Sequence, residues 1–133
     1  MPQLVPHLLL RSEIGSSEAA IMLRDGGYVV TKIVDDDSVI RLARSPHVDA
    51  IVVELPAFLA VPFVRRIQNE IGTRLPVLVL TNAPGTVQRH VNASVLHVDN
   101  IEDDLISATD LMLAAHESRR AFQKSRDAIL AEA

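Results

Sequence analysis

The chain has 133 residues, of which 48% are apolar; this is enough to bury one core and excludes a largely disordered protein. The formal net charge is -4 without a long basic run, which argues against non-specific nucleic-acid binding. The chain has no cysteine, which excludes disulfides, thiolate catalysis and cysteine-ligated zinc. Its start lacks the signal-peptide pattern and its apolar runs are too short for a bilayer. We therefore expect a cytoplasmic protein.

Short apolar runs alternate with helical patterns along the whole chain. The predicted strands are 8–10, 28–34, 50–53, 75–80 and 95–98. The predicted helices are one capped by Ser16 or Ser17, one capped by Asp36 or Asp37, one over 61–71, a short one over 86–91 and a long one from Ile101.

Five strands, each followed by a helix, predict a parallel sheet between two helical layers. Right-handed crossovers favour a flavodoxin-like (βα)5 doubly wound sheet of order 2-1-3-4-5, here with an extended C-terminal helix. Binding sites of this α/β architecture lie at the carboxyl ends of the central strands. The residues there are Arg11, Ser12 and Glu13, then Glu54, Leu55 and Pro56, then Thr81 and Asn82.

Three segments resemble parts of bacterial response-regulator receiver (CheY-like) domains. Residues 27–43 resemble the second βα unit, 49–56 the third strand with its phosphoacceptor and following proline, and 76–81 the fourth strand with its switch hydroxyl. The resemblance covers roughly residues 5–118. It implies a receiver fold and a role in signal transduction.

The same resemblance implies a phosphorylation site, and most of its residues are replaced. Receivers use an acidic pair that holds Mg²⁺, a phosphoacceptor Asp, a switch hydroxyl and a Lys. These positions fall on Arg11 and Ser12, on Glu54, on Thr81 and on Val98. We therefore predict a degenerate pseudo-receiver that is not an enzyme and uses no cofactor or metal. A slip in register would instead place Glu13 at the metal position or His97 near the Lys position.

Two interpretations of Glu54 are possible. Its carboxylate could imitate a phosphorylated acceptor, or it could form a structural ion pair with Arg11. We favour the ion pair, because an Arg at the neighbouring strand end can bind a carboxylate in a bidentate manner. Thr81 is either a retained switch or a strand-end residue that bonds local backbone, and we favour the local role.

The helical pattern from Ile101 runs nearly to Ala133 without Gly or Pro, which is longer than the domain needs. We predict a receiver-like domain over 1–118 and a helical extension or linker over 119–133. Six apolar residues fall close to an a/d heptad register: Leu105, Ala108, Met112, Ala115, Phe122 and Ile129. Arg119 and Arg126 occupy its remaining seam positions. The seam predicts a homodimer through the fifth helix, whose interface residues are Leu105, Met112, Ala115 and Phe122. A solvated tail is the alternative.

The function that these features favour is phosphorylation-independent protein–protein interaction and dimerisation in bacterial signal transduction. The expected partner is a protein of a signalling pathway, with no direct binding of nucleic acid or membrane. The first alternative is an atypical receiver phosphorylated by a histidine kinase. The second is a small-ligand sensor that uses the cleft at the strand ends. The uncapped helical end leads us to expect a domain of a longer chain.

Overall fold

A computed structural model describes residues 5–132 and the side chains of residues 5–131. Five parallel strands form one sheet in the order β2-β1-β3-β4-β5, as predicted. The strands are β1 His7–Ser12, β2 Val29–Ile33, β3 Ala50–Glu54, β4 Val77–Thr81 and β5 Ser94–His97. The helices are α1 Glu18–Asp25, α2 Asp36–Ala43, α3 Ala57–Glu70, α4 Pro84–His90 and α5 Ile101–Glu132, with a 3-10 turn over Val98–Asn100.

Helices cover both faces of the sheet, so that both faces are buried. Successive strand residues point to opposite sides. Leu9 and Val53 lie on the side that packs against α2, α3 and α4, here called the α2 face. Leu8, Leu10 and Val52 lie on the side that packs against α1 and α5, called the α1 face. This alternation later decides which strand-end residues meet.

The N-caps of the first two helices come from side chains in extended backbone. Ser17 caps α1 by accepting a hydrogen bond from the N–H of Ala20 at 3.1 Å. Asp35 caps α2 by accepting from the N–H of Ser38 at 2.9 Å. The prediction of Asp36 or Asp37 was therefore wrong, since both already lie in the first turn. The hydrogen bonds from Ser38 hold the pKa of Asp35 below its usual range.

Element boundaries differ most from the predictions around α3. The helix begins at Ala57, four positions before the predicted start at 61, and it contains Pro62. Ala57 and Ala60 are buried in the α2-face core, so packing outweighs the helix-breaking signal of the proline. The fourth helix is short, as predicted, with 7 residues. Strand β5 ends at His97, so Val98 lies in the 3-10 turn and not in the strand.

Helix α5 has two parts with different surroundings. Its first part packs on the sheet, with Leu105 fully buried and Met112 6% exposed. The predicted dimer interface was therefore wrong for these two residues, because they fill the core of their own domain. Residues 117–131 are exposed throughout, including Phe122, and Ala115 is exposed just before them. No helix within residues 5–132 is both long and apolar enough to cross a membrane.

Candidate functional site

A cleft of about 330 Å³ opens at the carboxyl ends of β1, β3 and β4, where the fold class predicts a site. Glu54, Thr81 and Val98, which come from three different strand ends, meet in its lining. The full lining is Glu13, Ile14, Glu54, Leu55, Pro56, Leu80, Thr81, Asn82 and Val98. The structure thus brings together the positions that the receiver resemblance singles out after β3, β4 and β5.

Two serine hydroxyls hold the Glu54 carboxylate, and we call Ser12, Ser17 and Glu54 the serine clamp. Ser12 Oγ donates to Glu54 Oε1 at 2.7 Å and Ser17 Oγ donates to the same oxygen at 2.8 Å. Each hydroxyl also accepts from a backbone N–H, that of Ile14 for Ser12 and that of Ala20 for Ser17, both at 3.1 Å. Two relays therefore converge on one oxygen, and each N–H polarises its hydroxyl toward the carboxylate.

Strand register explains why the clamp forms. Ser12 pairs with Glu54 across β1 and β3, and paired residues of parallel strands point to the same face. Their neighbours Leu10 and Val52 belong to the α1-face core, so Ser12 and Glu54 also face α1. Ser17 stands at the amino end of that helix, where the helix dipole favours a negative charge.

Arg11 does not form the ion pair with Glu54 that the sequence led us to expect. Its Nε donates to Asp36 at 2.7 Å and its Nη2 to Glu13 at 3.3 Å. As the residue before Ser12 it points to the opposite face, where Asp36 opens helix α2. The ion-pair interpretation was therefore wrong because the alternation of strand side chains separates Arg11 from Glu54.

The Arg11 guanidinium is nonetheless buried, with the residue only 6% exposed. Its Nη1 is buried and has no hydrogen-bond partner among the described residues. Leaving such a donor unpaired costs free energy. The ion pair with Asp36 therefore ties β1 to α2 at a cost that an apolar residue would avoid.

Thr81 is buried at the end of β4, and its Oγ1 accepts from the N–H of Ala83 at 3.2 Å. This is the local backbone bond that the sequence favoured over a switch role. His97 is the register partner of Thr81, and its Nδ1 accepts from the N–H of Asp99 at 3.0 Å. It caps the 3-10 turn and is not part of the cleft lining, whereas Glu13 is.

Ser17 is the member of the site that sequence reasoning missed. The sequence marks it only as a helix cap, and it does cap α1. Its second bond, to Glu54, joins residues 37 positions apart. The available signal was indirect: α1 follows β1 closely, so its first turn must lie above the strand end.

Neither family models nor curated protein sequences give a significant match to the chain. Solved structures do. The signal receiver domain of an HD domain-containing protein from Pseudomonas fluorescens Pf-5 is 19% identical, with a TM-score of 0.65 over 86% of this chain and 98% of that one. A response regulator receiver protein from Pseudoalteromonas atlantica is 16% identical, with a TM-score of 0.66 over 83% and 98%. The chain has the fold of a response regulator receiver domain.

A further solved structure is similar to this chain over the C-terminal helix as well. It is described as the yeast Spc42 trimeric coiled coil, residues 181–211, fused to another structure. It is 20% identical and has a TM-score of 0.67 over 99% of this chain and 94% of that one. The likeness therefore includes the helix beyond the receiver fold.

The residues at the strand ends do not suit the Mg²⁺ that the receiver resemblance implies. Magnesium is bound in octahedral geometry through one or two free carboxylates together with water or substrate oxygens. The cleft offers two carboxylates: Glu13 is paired with Arg11, and Glu54 receives two hydroxyl donors on Oε1. Within residues 5–132 no group of three His, Cys, Asp or Glu side chains is placed to hold a metal ion.

Proposed function

We propose that this chain is a pseudo-receiver, a non-enzymatic protein-interaction domain of bacterial signal transduction that works without phosphorylation. The observation that carries the proposal is the serine clamp. At the position where a receiver would carry its phosphoacceptor, Ser12 and Ser17 both donate to Glu54 Oε1. The site is built to hold a carboxylate in place.

The clamp works against nucleophilic attack by Glu54. Two hydroxyl donors draw electron density from Oε1, and Glu is one methylene longer than Asp, which displaces its oxygens from the expected line of attack. The stabilising charges that phosphoryl transfer uses are also missing from the cleft wall, where Val98 supplies an apolar side chain. Arg11 points to the other face and is bound to Asp36.

Incubation with acetyl phosphate and Mg²⁺, followed by intact-mass spectrometry, tests this part of the proposal. We expect the mass to remain unchanged, while a receiver domain with an Asp acceptor gains a phosphoryl group under the same conditions. A phosphoryl adduct that disappears in Glu54→Gln would overturn the proposal. It would instead establish an atypical receiver phosphorylated at Glu54.

The interaction surface that we propose is the exposed end of α5, and its partner is a second copy of this chain. Phe122 and Ile129 are 70% and 68% exposed on the predicted heptad seam, and exposed apolar side chains at this spacing favour coiled-coil pairing. A solved structure similar over 99% of this chain is described as a coiled coil, trimeric there, fused to another structure, which supports coiled-coil association but not the number of copies. Arg119 and Arg126 occupy seam positions and weaken the pairing, so we expect reversible association.

Sedimentation equilibrium over a range of protein concentrations tests the homodimer. We expect a monomer–dimer equilibrium that approaches the dimer at high micromolar concentration. A monomer over the whole range would contradict the dimer. It would leave a different protein of the signalling pathway as the partner of the domain.

A further inference from the structure

The cleft at the strand ends combines apolar walls with negative charge. Ile14, Leu55, Pro56, Leu80 and Val98 form most of its lining, and Glu13 and Glu54 add two carboxylates. None of the nine lining residues is Lys, Arg or His. A concave apolar pocket with a few converging polar groups is the usual form of a small-ligand site.

The Glu54 carboxylate is positioned with one oxygen available. Its Oε1 is engaged by Ser12 and Ser17. Its Oε2 has no hydrogen-bond partner among the described residues, and this oxygen is accessible to solvent. Because Glu54 lines the apolar cleft, this oxygen is an acceptor for a ligand that carries a proton donor and a positive charge.

The cations of the same edge do not neutralise Glu54. Arg11 is bound to Asp36 and Glu13. The ammonium group of Lys32 donates to the carbonyl of Gly15 at 2.9 Å, and Lys32 does not line the cleft. The charge of Glu54 is thus left to solvent or to a ligand.

We propose that this cleft binds a primary ammonium group carried on a short aliphatic chain. The aliphatic part packs against Ile14, Leu55 and Val98, while the ammonium donates to Glu54 Oε2. The proposal rests on the proposed function in one respect, because it takes the cleft to be unphosphorylated.

The clamp also selects among cations. A guanidinium binds a carboxylate best through both oxygens at once, and here Oε1 already accepts two hydroxyl donors. An ammonium is a compact charge that needs only one carboxylate oxygen. A divalent metal prefers carboxylates that are free of other partners, whereas Glu13 is paired with Arg11 and Glu54 Oε1 accepts two hydroxyl donors.

Titration of the full chain with n-butylammonium, followed by amide chemical shifts, tests the proposal. We expect saturable shifts at Ile14, Glu54, Leu55 and Val98, with binding at least about tenfold tighter than that of n-butanol or n-butylguanidinium. Glu54→Gln keeps an acceptor for both serines but removes the charge, so it should weaken n-butylammonium binding about tenfold or more. Glu117→Gln, which removes an exposed carboxylate on α5, should leave binding unchanged.

The proposal would be overturned by the lack of a saturable shift at millimolar amine, by equal binding of butanol and butylammonium, or by unchanged binding in Glu54→Gln. Mg²⁺ that shifts the same amides and displaces the amine would also overturn it. Nα-acetyl-lysine amide is titrated in the same way, to distinguish a lysine side chain of a protein from a free amine. Binding at least as tight as butylammonium assigns the ligand to a lysine side chain of a protein, and weaker binding assigns it to a free amine.

The amine titration and the acetyl phosphate experiment test the ligand and the proposed function separately. The amine titration uses protein that has not been exposed to a phosphoryl donor. Its result therefore does not depend on whether acetyl phosphate forms an adduct in the other experiment. Amine binding together with such an adduct would reject only the phosphorylation-independent function. Loss of amine binding without an adduct would reject only the ligand.

Discussion

Ser12 and Glu54 are register partners across β1 and β3, and the Oγ of Ser12 donates to Glu54 Oε1 at 2.7 Å. The pair shares the α1 face, while Arg11, one position earlier, faces α2 and binds Asp36. One strand end therefore supplies two neighbouring residues to two separate polar systems. We therefore expect a substitution in one polar system to leave the free-energy contribution of the other unchanged.

Ser12→Ala should lower the free energy of unfolding by about 1–3 kcal/mol, because a partly buried carboxylate loses a hydroxyl donor. In a double-mutant cycle with Glu54→Leu, we expect a coupling energy of about 1 kcal/mol or more between Ser12 and Glu54. Urea unfolding measures both quantities. Ser16→Ala, at an exposed serine one position before the cap, is the matched control and should be nearly neutral.

The corresponding cycle of Arg11→Met with Glu54→Leu should give a coupling energy below about 0.5 kcal/mol, because the two side chains lie on opposite faces. Arg11→Met alone should be close to neutral, since it removes the buried unpaired Nη1 together with the ion pair. A strong coupling between Arg11 and Glu54 would restore the ion pair that the sequence suggested and contradict the geometry.

We expect His116 to make the stability of the fold depend on pH. Burial lowers its pKa below 6.5, and the charges of Arg119 and Arg120 act in the same direction, while its hydrogen bond to the carbonyl of Arg74 opposes them. The unfolded chain therefore binds this proton at higher pH than the folded chain does. The stability that neutral His116 contributes is present above pH 6.5 and is lost as the pH falls below it.

Thermal unfolding between pH 7.5 and pH 5.5 checks this sign. We expect His116→Gln, which keeps a donor for the Arg74 carbonyl, to lose less stability over this range than the parent chain. His90→Gln, at an exposed histidine of α4, should follow the parent profile. A His116→Gln profile identical to the parent would show that His116 does not sense pH.

The order of strands and the edge that carries the cleft follow from the sequence, because alternating βα units and right-handed crossovers leave few arrangements. The partners at that edge do not follow from it so directly. Alternation along β1 would have separated Arg11 from Ser12, but the exact register of β1 on β3 decides which of them meets Glu54. The contact between Ser17 and Glu54 depends on how α1 docks, which a local capping pattern does not encode.

The heptad pattern of α5 shows another limit of sequence reasoning. Leu105 and Met112 satisfy the a/d register, yet the sheet buries both of them. A helix that packs on its own domain and a helix that pairs with a second copy both need an apolar stripe. Periodicity alone therefore does not show at which residue packing on the sheet ends and pairing with a second copy begins.

Removal of residues 119–133 should leave the free energy of unfolding within about 0.5 kcal/mol of the full chain, because residues 119–131 are exposed and do not pack on the sheet. Urea unfolding of a chain that ends at Ser118 measures this directly. A large loss of stability would show that the extension belongs to the folded domain and would contradict the predicted boundary.

Single substitutions should reveal the proposed seam. Phe122→Ser and Ile129→Ser should each weaken self-association, since both remove exposed apolar side chains of the seam. Leu111→Ser removes a side chain that is equally exposed, at 71%, but lies off the seam, and should leave association unchanged. Arg126→Leu should strengthen it by removing a seam charge. Sedimentation velocity compares the four variants, and equal effects of Leu111→Ser and Phe122→Ser would reject the seam.

Amide chemical shifts of the full chain, recorded with Mg²⁺ and beryllofluoride, a stable analogue of a bound phosphoryl group, are the strongest test of whether the domain works without phosphorylation. We expect no change at Glu54 and Thr81, because the serine clamp engages Glu54 Oε1 and Thr81 bonds its own local backbone. Specific, saturable shifts at these two residues would contradict it and show that the strand ends still accept a phosphoryl group.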